Sequence, residues 1–234
     1  IAFPFNPLEI PKLNKIAAKQ SISVQVINAT TAQMLVDQLE YPVGFFIEID
    51  AGYGRTGVEV SDFGLIEEIL LIAKKSDKLN FKGFYLHAGH SYYMPDIPAL
   101  YEQTRNALSM LKHKYNSEYP KLVTRTGDTP GCAVMEDFGD IDEMGPGNFV
   151  FYDLMQAELG GCDKEDIAVC LAVPVVDIKK DRKEILVHGG GVHLAKDVLV
   201  GILPVHSCMT ADCMGEYMTL DGKMVDHAEG SLEK

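Results

Sequence analysis

The sequence predicts an α/β protein, with parallel βα units through its first part and a smaller β-rich domain after them. Short, nearly all-apolar runs alternate with amphipathic helical stretches as far as about residue 128. After about residue 160, strand-like runs follow one another with only turns between them. Polar, glycine-rich segments sit directly behind the apolar runs, where parallel α/β folds keep their chemistry.

The elements follow in order. IAFPF (1–5) is a short strand-like start before a helical stretch over 8–20. SVQVI (23–27) reads as a buried strand and 30–39 as a helix. VGFFIEID (43–50) is the next strand, and 61–75 the amphipathic run behind it. FYLHAG (84–89), a long helix over 98–115 and LVTRTGD (122–128) complete the alternation. Strands this apolar suit a sheet covered on both faces, either doubly wound or a (β/α) barrel. Only about five or six such repeats precede the β-rich part, whereas a closed barrel needs eight. DIAVCLAVPVVDI (166–178), EILVHGGG (184–191) and VLVGILPVHSCM (198–209) form that part, with GGCDKED (160–166) as the linker.

Bulk properties exclude several functions. The apolar and charged fractions, 47% and 24%, are those of a globular protein, and no run approaches the ~20 apolar residues that span a bilayer. A net charge of −13 with no basic stripe argues against nucleic acid and anionic membranes as partners. Five cysteines at irregular spacing predict reduced thiols and a cytoplasmic setting rather than a disulfide framework.

Five strand-end segments carry the candidate chemistry. IDAGYGRTGV (49–58) combines glycines that let a ligand approach the backbone with the cationic fork of Arg55, or is simply a turn with a surface arginine. GFYLHAGHSYY (83–93) places His87 and His90 where an imidazole can stack on a planar ligand, relay a proton or bind a metal; one buried and one exposed histidine is the plainer alternative. TRTGDTPGC (124–132) offers hydroxyls and backbone N–H groups suited to a phosphate. EMGPGNFVFYD (143–153) bends tightly and adds N–H donors, or is a strand-entry turn. LPVHSCMT (203–210) puts His206 and Cys208 on one face of a strand, as half of a metal site or as a buried thiol beside an unrelated histidine.

In this order IDAGYGRTGV, HAGHSY, TGDTPGC, GPGNFVFYD and PVHSCMT resemble the D-serine dehydratase and D-threonine aldolase family, fold-type III pyridoxal phosphate enzymes related to alanine racemase. The resemblance covers nearly the whole chain and implies a partial alanine racemase-type (β/α) barrel over 1–160, binding pyridoxal phosphate, and a β-rich domain over 161–234 with a metal-ligand motif. It also implies roles. Arg55 lies near the cofactor's phenolic oxygen or the substrate carboxylate, and His87 lies against the pyridine ring, both as catalytic residues. His90, Ser91 and Tyr92 continue the pocket wall. Thr126, Gly127, Asp128 and Thr129 cradle the phosphate with N–H groups of Gly147 and Asn148, and Tyr152 and Asp153 sit just beyond. His206 and Cys208 hold Zn2+ or another divalent metal against the substrate β-hydroxyl, the thiolate favouring zinc.

The implied activity is a lyase reaction on D-β-hydroxy amino acids, dehydrating D-serine or cleaving D-threonine by retro-aldol chemistry, in a homodimer with a small-molecule D-amino acid as partner. A racemase of the same fold, or a non-catalytic pyridoxal phosphate-binding domain, are the alternatives. Departures from the family pattern bear on them. The Schiff-base lysine of a KTHK-like segment is missing, and Lys82 and Lys121 precede their strands at the wrong end to replace it. Gly145 stands where racemases place an arginine, which speaks against the racemase. The expectation is an amino-terminally truncated family member.

Overall fold

Five helices start the same way. An Asn or Asp just behind the preceding segment turns its side-chain oxygen onto a free backbone N–H of the first turn, the strongest local helix-start signal available. In the computed structural model, which describes residues 3–94, 96–188, 199–204, 206–207 and 216–226, these caps are Asn28, Asp62, Asp96, Asp128 and Asp153. Their acceptor distances run from 2.7 Å (Asn28 to Thr31 N, Asp128 to Gly131 N) to 3.0 Å (Asp62 to Leu65 N). They open α2 (Ala29–Gln38), α3 (Phe63–Ala73), α4 (Ile97–Tyr115), α5 (Thr129–Val134) and α6 (Leu154–Glu158). The first helix, α1 (Ile10–Ala17), instead follows a 3-10 turn over Pro7–Glu9.

The chain divides into two compact units, Ile1–Gly147 and Asn148–Lys234. In the first, β1 (Ser23–Val26), β2 (Val43–Asp50), β4 (Leu79–Leu86), β5 (Val123–Thr126) and β6 (Glu143–Met144) form one parallel sheet in that order, and the two-residue β3 (Val58–Glu59) pairs with the end of β2. Strand order follows chain order without reversal. A doubly wound sheet reverses at a switch point, so this is the arrangement of a barrel arc. Among the described residues, the first ones add a parallel bridge, Pro4 to Gln25.

The two faces of the sheet differ. Toward the helices, Val24, Val26, Phe45, Ile47, Ile49, Phe84 and Leu86 pack with Leu13, Leu35, Ile66, Ile69, Leu108 and Leu111, all buried. Each such side chain contributes roughly 1.5–3 kcal/mol by leaving water. The opposite face carries Gln25, Glu48, Asp50, Tyr85 and Arg125 at alternate strand positions. In register, Glu48 lies beside Tyr85, Tyr85 beside Arg125 and Arg125 beside Glu143. The central strand is covered on both faces as expected, all eight residues of β2 being buried, but the face away from the helices is largely polar.

Several boundaries also move. β4 begins at Leu79, well before the apolar FYL run, because its first half is an exposed edge with Asn80 and Lys82. Lys82 thus lies inside the strand, at a bulge. Gly83 allows that bulge: its φ is +151°, and a Cβ there would lie 1.7 Å from the Val123 carbonyl oxygen. The β-strand expected over 122–128 ends at Thr126, where α5 takes over.

In the second unit β7 (Leu171–Lys179) pairs antiparallel with β8 (Glu184–Val187) and with β9 (Leu199–Ile202), and β10 (Glu216–Met218) with β11 (Met224–Asp226). The β-rich reading of this part holds. β9 stops at Ile202, however, so His206 follows the strand instead of lying on it. Asp153 draws in the backbone N–H of Ser207, which takes the segment out of ladder geometry.

Candidate functional site

At the carboxyl end of the parallel sheet, the loop after β2 is pinned by two carboxylates of that strand. Asp50 Oδ1 accepts from the N–H groups of Gly52 (2.9 Å) and Gly54 (3.1 Å), and its Oδ2 from Gly54 (2.9 Å). Glu48 Oε1 accepts from the Thr56 hydroxyl. Gly52 and Gly54 have φ of +111° and +72°, the left-handed region where glycine is at home. The loop they shape presents Tyr53 and Arg55. The Arg55 guanidinium lies 5.6 Å from the Tyr53 ring centroid and 5.4 Å from that of Phe3.

Tyr53 meets both histidines of the next strand end. Its ring stacks on His90 at 5.7 Å and 12°, and lies edge-on to His87 at 5.7 Å and 65°. A Cβ on Gly89 would sit 2.5 Å from the Tyr53 ring and 2.8 Å from His87 Nε2, so this packing requires the glycine. His87 Nδ1–H donates to the Gly127 carbonyl oxygen at the end of β5. Burial holds the His87 imidazole below the ordinary histidine range; the Gly127 carbonyl opposes that shift and the Arg55 charge reinforces it. A neutral ring with its proton on Nδ1 results.

Beneath this group the polar face of the sheet continues. Burial pushes the Glu48 carboxyl up, against the Thr56 hydrogen bond and the Arg55 charge, and its Oε2 has no hydrogen-bond partner among the described residues. Burial, then the neighbouring Glu48, push the Tyr85 hydroxyl up to about 12. Arg125 lies 3.7 Å from Glu143 and closes against Gly145, whose added Cβ would come within 2.6 Å of the guanidinium.

The segment expected to cradle a phosphate is largely committed to the fold. Thr126 donates its hydroxyl to Leu86 O (3.3 Å) and Gly127 its N–H to the same oxygen (3.2 Å). Asp128, buried and pushed up by that burial, caps α5. Gly147 faces open space: a Cβ added there would meet no atom within 4 Å. The structure thus brings His87, Thr126, Gly127, Asp128 and Thr129 together, links Arg55 to them through Tyr53, and leaves Tyr92 at the end of the 3-10 turn Gly89–Tyr92. For pyridoxal phosphate, the neutral His87 ring, the Arg55 cation and the open backbone at Gly147 fit an aromatic ring, a phenolate and a phosphate.

The second unit holds a separate knot. Asp153, fully buried, accepts from Asn148 Nδ2 (2.6 Å), Gln156 N (2.9 Å), Ser207 N (3.0 Å) and His206 Nδ1 (3.1 Å). The Ser207 hydroxyl donates to Asn148 Oδ1. The Asn148 side chain therefore serves this knot. An imidazole whose Nδ1–H is held by a carboxylate is the form in which histidine binds metals through its other nitrogen, so His206 fits a divalent ion. Among the described residues no group of three or more His, Cys, Asp or Glu side chains could hold one; Cys208 lies outside the described residues.

The sequence alone missed Glu48, Asp50, Tyr53, Tyr85 and Arg125. For Glu48, Asp50 and Tyr85 the signal was present as polar residues two apart within apolar runs: Glu48 with Asp50, and Tyr85 with His87.

The sequence profile described as the alanine racemase N-terminal domain matches residues 5–154. The chain belongs to this family. It is 33% identical over 163 residues to a D-serine dehydratase of Dictyostelium discoideum, and 28% over 159 residues to a D-threo-3-hydroxyaspartate dehydratase of Delftia sp. (strain HT23). Each match covers 65% of this chain and 41% of the relative, so the shared part spans well under half of those proteins. The solved D-threo-3-hydroxyaspartate dehydratase from Delftia sp. HT23 superposes with a TM-score of 0.77 at 19% identity, over 96% of this chain and 76% of that one. D-threonine aldolase from Filomicrobium marinum superposes at 0.67 and 15% identity, over 94% and 72%. These structures share the alanine racemase-like fold, and the family is the one that the order of the five motifs implied.

Proposed function

We propose that the protein is a lyase that uses pyridoxal phosphate and a divalent metal, zinc by preference, on D-β-hydroxy amino acids. Its reaction is dehydration of D-serine or a 3-hydroxy analogue, or retro-aldol cleavage of D-threonine. The relatives named for D-serine and D-threo-3-hydroxyaspartate dehydration support the substrate class. The observation that carries the reading is the neutral, half-buried His87 at the sheet's carboxyl end, with Arg55 beside it through Tyr53. We assign the cofactor to 1–160 and the metal motif to 161–234, and expect a cytoplasmic homodimer.

Pyridoxal phosphate, when bound, supplies an electron sink for the pair left at Cα, and the metal a Lewis acid for the β-oxygen. His87 offers a flat, uncharged face to the pyridine ring and adds no second positive charge next to Arg55. Arg55 fixes a phenolate or carboxylate by a planar, two-pronged contact. Asp50 and Glu48 hold the loop that aims Arg55 and Tyr53. Thr126, Gly127, Asp128 and Thr129 would line the phosphate together with the backbone at Gly147, and the first three also bond within the fold. His206, with Cys208, would hold the metal.

The test is turnover by the full-length protein supplied with pyridoxal phosphate, with and without a chelator. A 2-oxo acid and ammonia from D-serine or 3-hydroxyaspartate, or glycine and an aldehyde from D-threonine, abolished by the chelator, is the expected result. Production of the L-enantiomer unaffected by the chelator would make it a racemase. Cofactor binding with no turnover of any of these substrates would leave a binding domain and overturn the proposal.

A further inference from the structure

Asp153 is the fully buried carboxylate at the centre of the second unit's polar knot, and among the described residues no lysine or arginine pairs with it. Burying an unpaired carboxylate is expensive unless hydrogen-bond donors surround it. Here four donors do so, and two of them come from consecutive residues: the ring of His206 and the backbone N–H of Ser207. The carboxylate therefore fixes both the position of that dipeptide and the direction of the His206 ring. Asn148 braces it from the other side by donating to Asp153 and accepting from Ser207.

A carboxylate can only accept, so the His206 ring carries a proton on Nδ1 and turns Nε2 away from Asp153. The ring is 30% exposed at its side chain, whereas Asp153 is wholly enclosed. Three of the four donors meet on Oδ2, and Gln156 N meets Oδ1. Capping α6 needs only the contact to Gln156 N; the contacts to His206 and Ser207 are additional.

We propose that Asp153 is a positioning residue for the metal centre: its carboxylate holds the Nδ1–H of His206 and the N–H of Ser207, and so aims Nε2 at the ion. This rests on the reading of His206 as a metal ligand. Loss of such a partner typically lowers metal affinity by about 10- to 100-fold.

The experiment measures zinc affinity of the metal-stripped full-length protein against a chromophoric chelator, for the wild type, His206→Ala, Asp153→Asn and Asp153→Ser. Asn and Ser both keep the helix cap, so a role confined to capping α6 leaves affinity untouched. The expected result is loss of the site in His206→Ala and an affinity about 10- to 100-fold weaker in both Asp153 variants, with unchanged far-UV dichroism. Wild-type affinity in those variants, while His206→Ala loses binding, overturns the role of Asp153 alone. No zinc binding by the wild type overturns the metal reading and this inference with it. Nitrogen-15 NMR of the metal-stripped wild type is independent of any variant's folding: an Nε2–H tautomer for His206 refutes the proposal.

Discussion

Replacing Asp50 by alanine should release the loop that carries Tyr53 and Arg55 while leaving the sheet intact. Asp50 lies at the last position of β2, and its carboxylate accepts from the N–H groups of both Gly52 and Gly54. A hydrogen bond to a charged group contributes about 1.5–3 kcal/mol. Gly52 and Gly54 are exposed, so water replaces the lost acceptor in the variant and the lower end applies. Two donors at that value give about 3 kcal/mol for Asp50→Ala, and roughly half that for Asp50→Asn, which keeps one acceptor oxygen. Amide hydrogen exchange is the suitable assay, because it reads each glycine separately from global unfolding. Exchange at Gly52 and Gly54 should accelerate up to roughly 150-fold in Asp50→Ala, the rate equivalent of that energy. Exchange at Phe45 and Ile47, in the buried middle of β2, should stay unchanged. If Gly54 exchanges at the wild-type rate in Asp50→Ala, the carboxylate does not hold the loop and the placement of Arg55 needs another cause.

Three further outcomes follow from the same structure. Glu48 holds its proton in the folded protein above the ordinary carboxyl range, so its ionisation costs stability as pH rises from its unfolded value through its folded one, with a slope of about 1.4 kcal/mol per pH unit within that window. Glu48→Gln cannot ionise and should be more stable relative to wild type at pH 8 than at pH 4; matching pH profiles by urea denaturation would refute this. Gly83→Ala drives a methyl into the Val123 carbonyl at a left-handed φ, and should cost about 4 kcal/mol or more or prevent folding; a soluble variant with wild-type melting contradicts the bulge geometry. Burial, with Asp128 adding to it, pushes the Cys132 thiol up to about 11, whereas Cys170 is exposed. Alkylation at pH 8 followed by mass spectrometry should therefore modify Cys170 well before Cys132, and equal rates would show that Cys132 is not shielded as described.

The parts of the fold legible in the sequence were those with long runs. VGFFIEID predicts β2 at its observed bounds, and the 98–115 periodicity predicts α4 to within a residue. The parts that escaped were short or composite. α5 and α6, six and five residues long, cannot show a helical period, and only the caps Asp128 and Asp153 announce them. Half of β4 was hidden because Asn80 and Lys82 interrupt its apolar pattern on an exposed edge. In the site, His87 was legible because it ends an apolar run. Glu48 was not, since a carboxylate among the eight buried positions of β2 reads as noise until its register with Tyr85 and Arg125 is known. Asp153 and His206 stand 53 residues apart, and no local pattern joins them.

Asp128 and Asp153 each start a helix and each also stand among the candidate site residues. Scaffold and chemistry are thereby written in the same letters. A mutation that tunes the charge or reach of either carboxylate also shifts where the next helix begins, and a mutation that shortens the helix disturbs the site. Such positions change only in step with their surroundings, so drift in this protein's specificity must enter through residues such as Tyr53, Arg55 and Tyr92, which open no helix and can change one at a time.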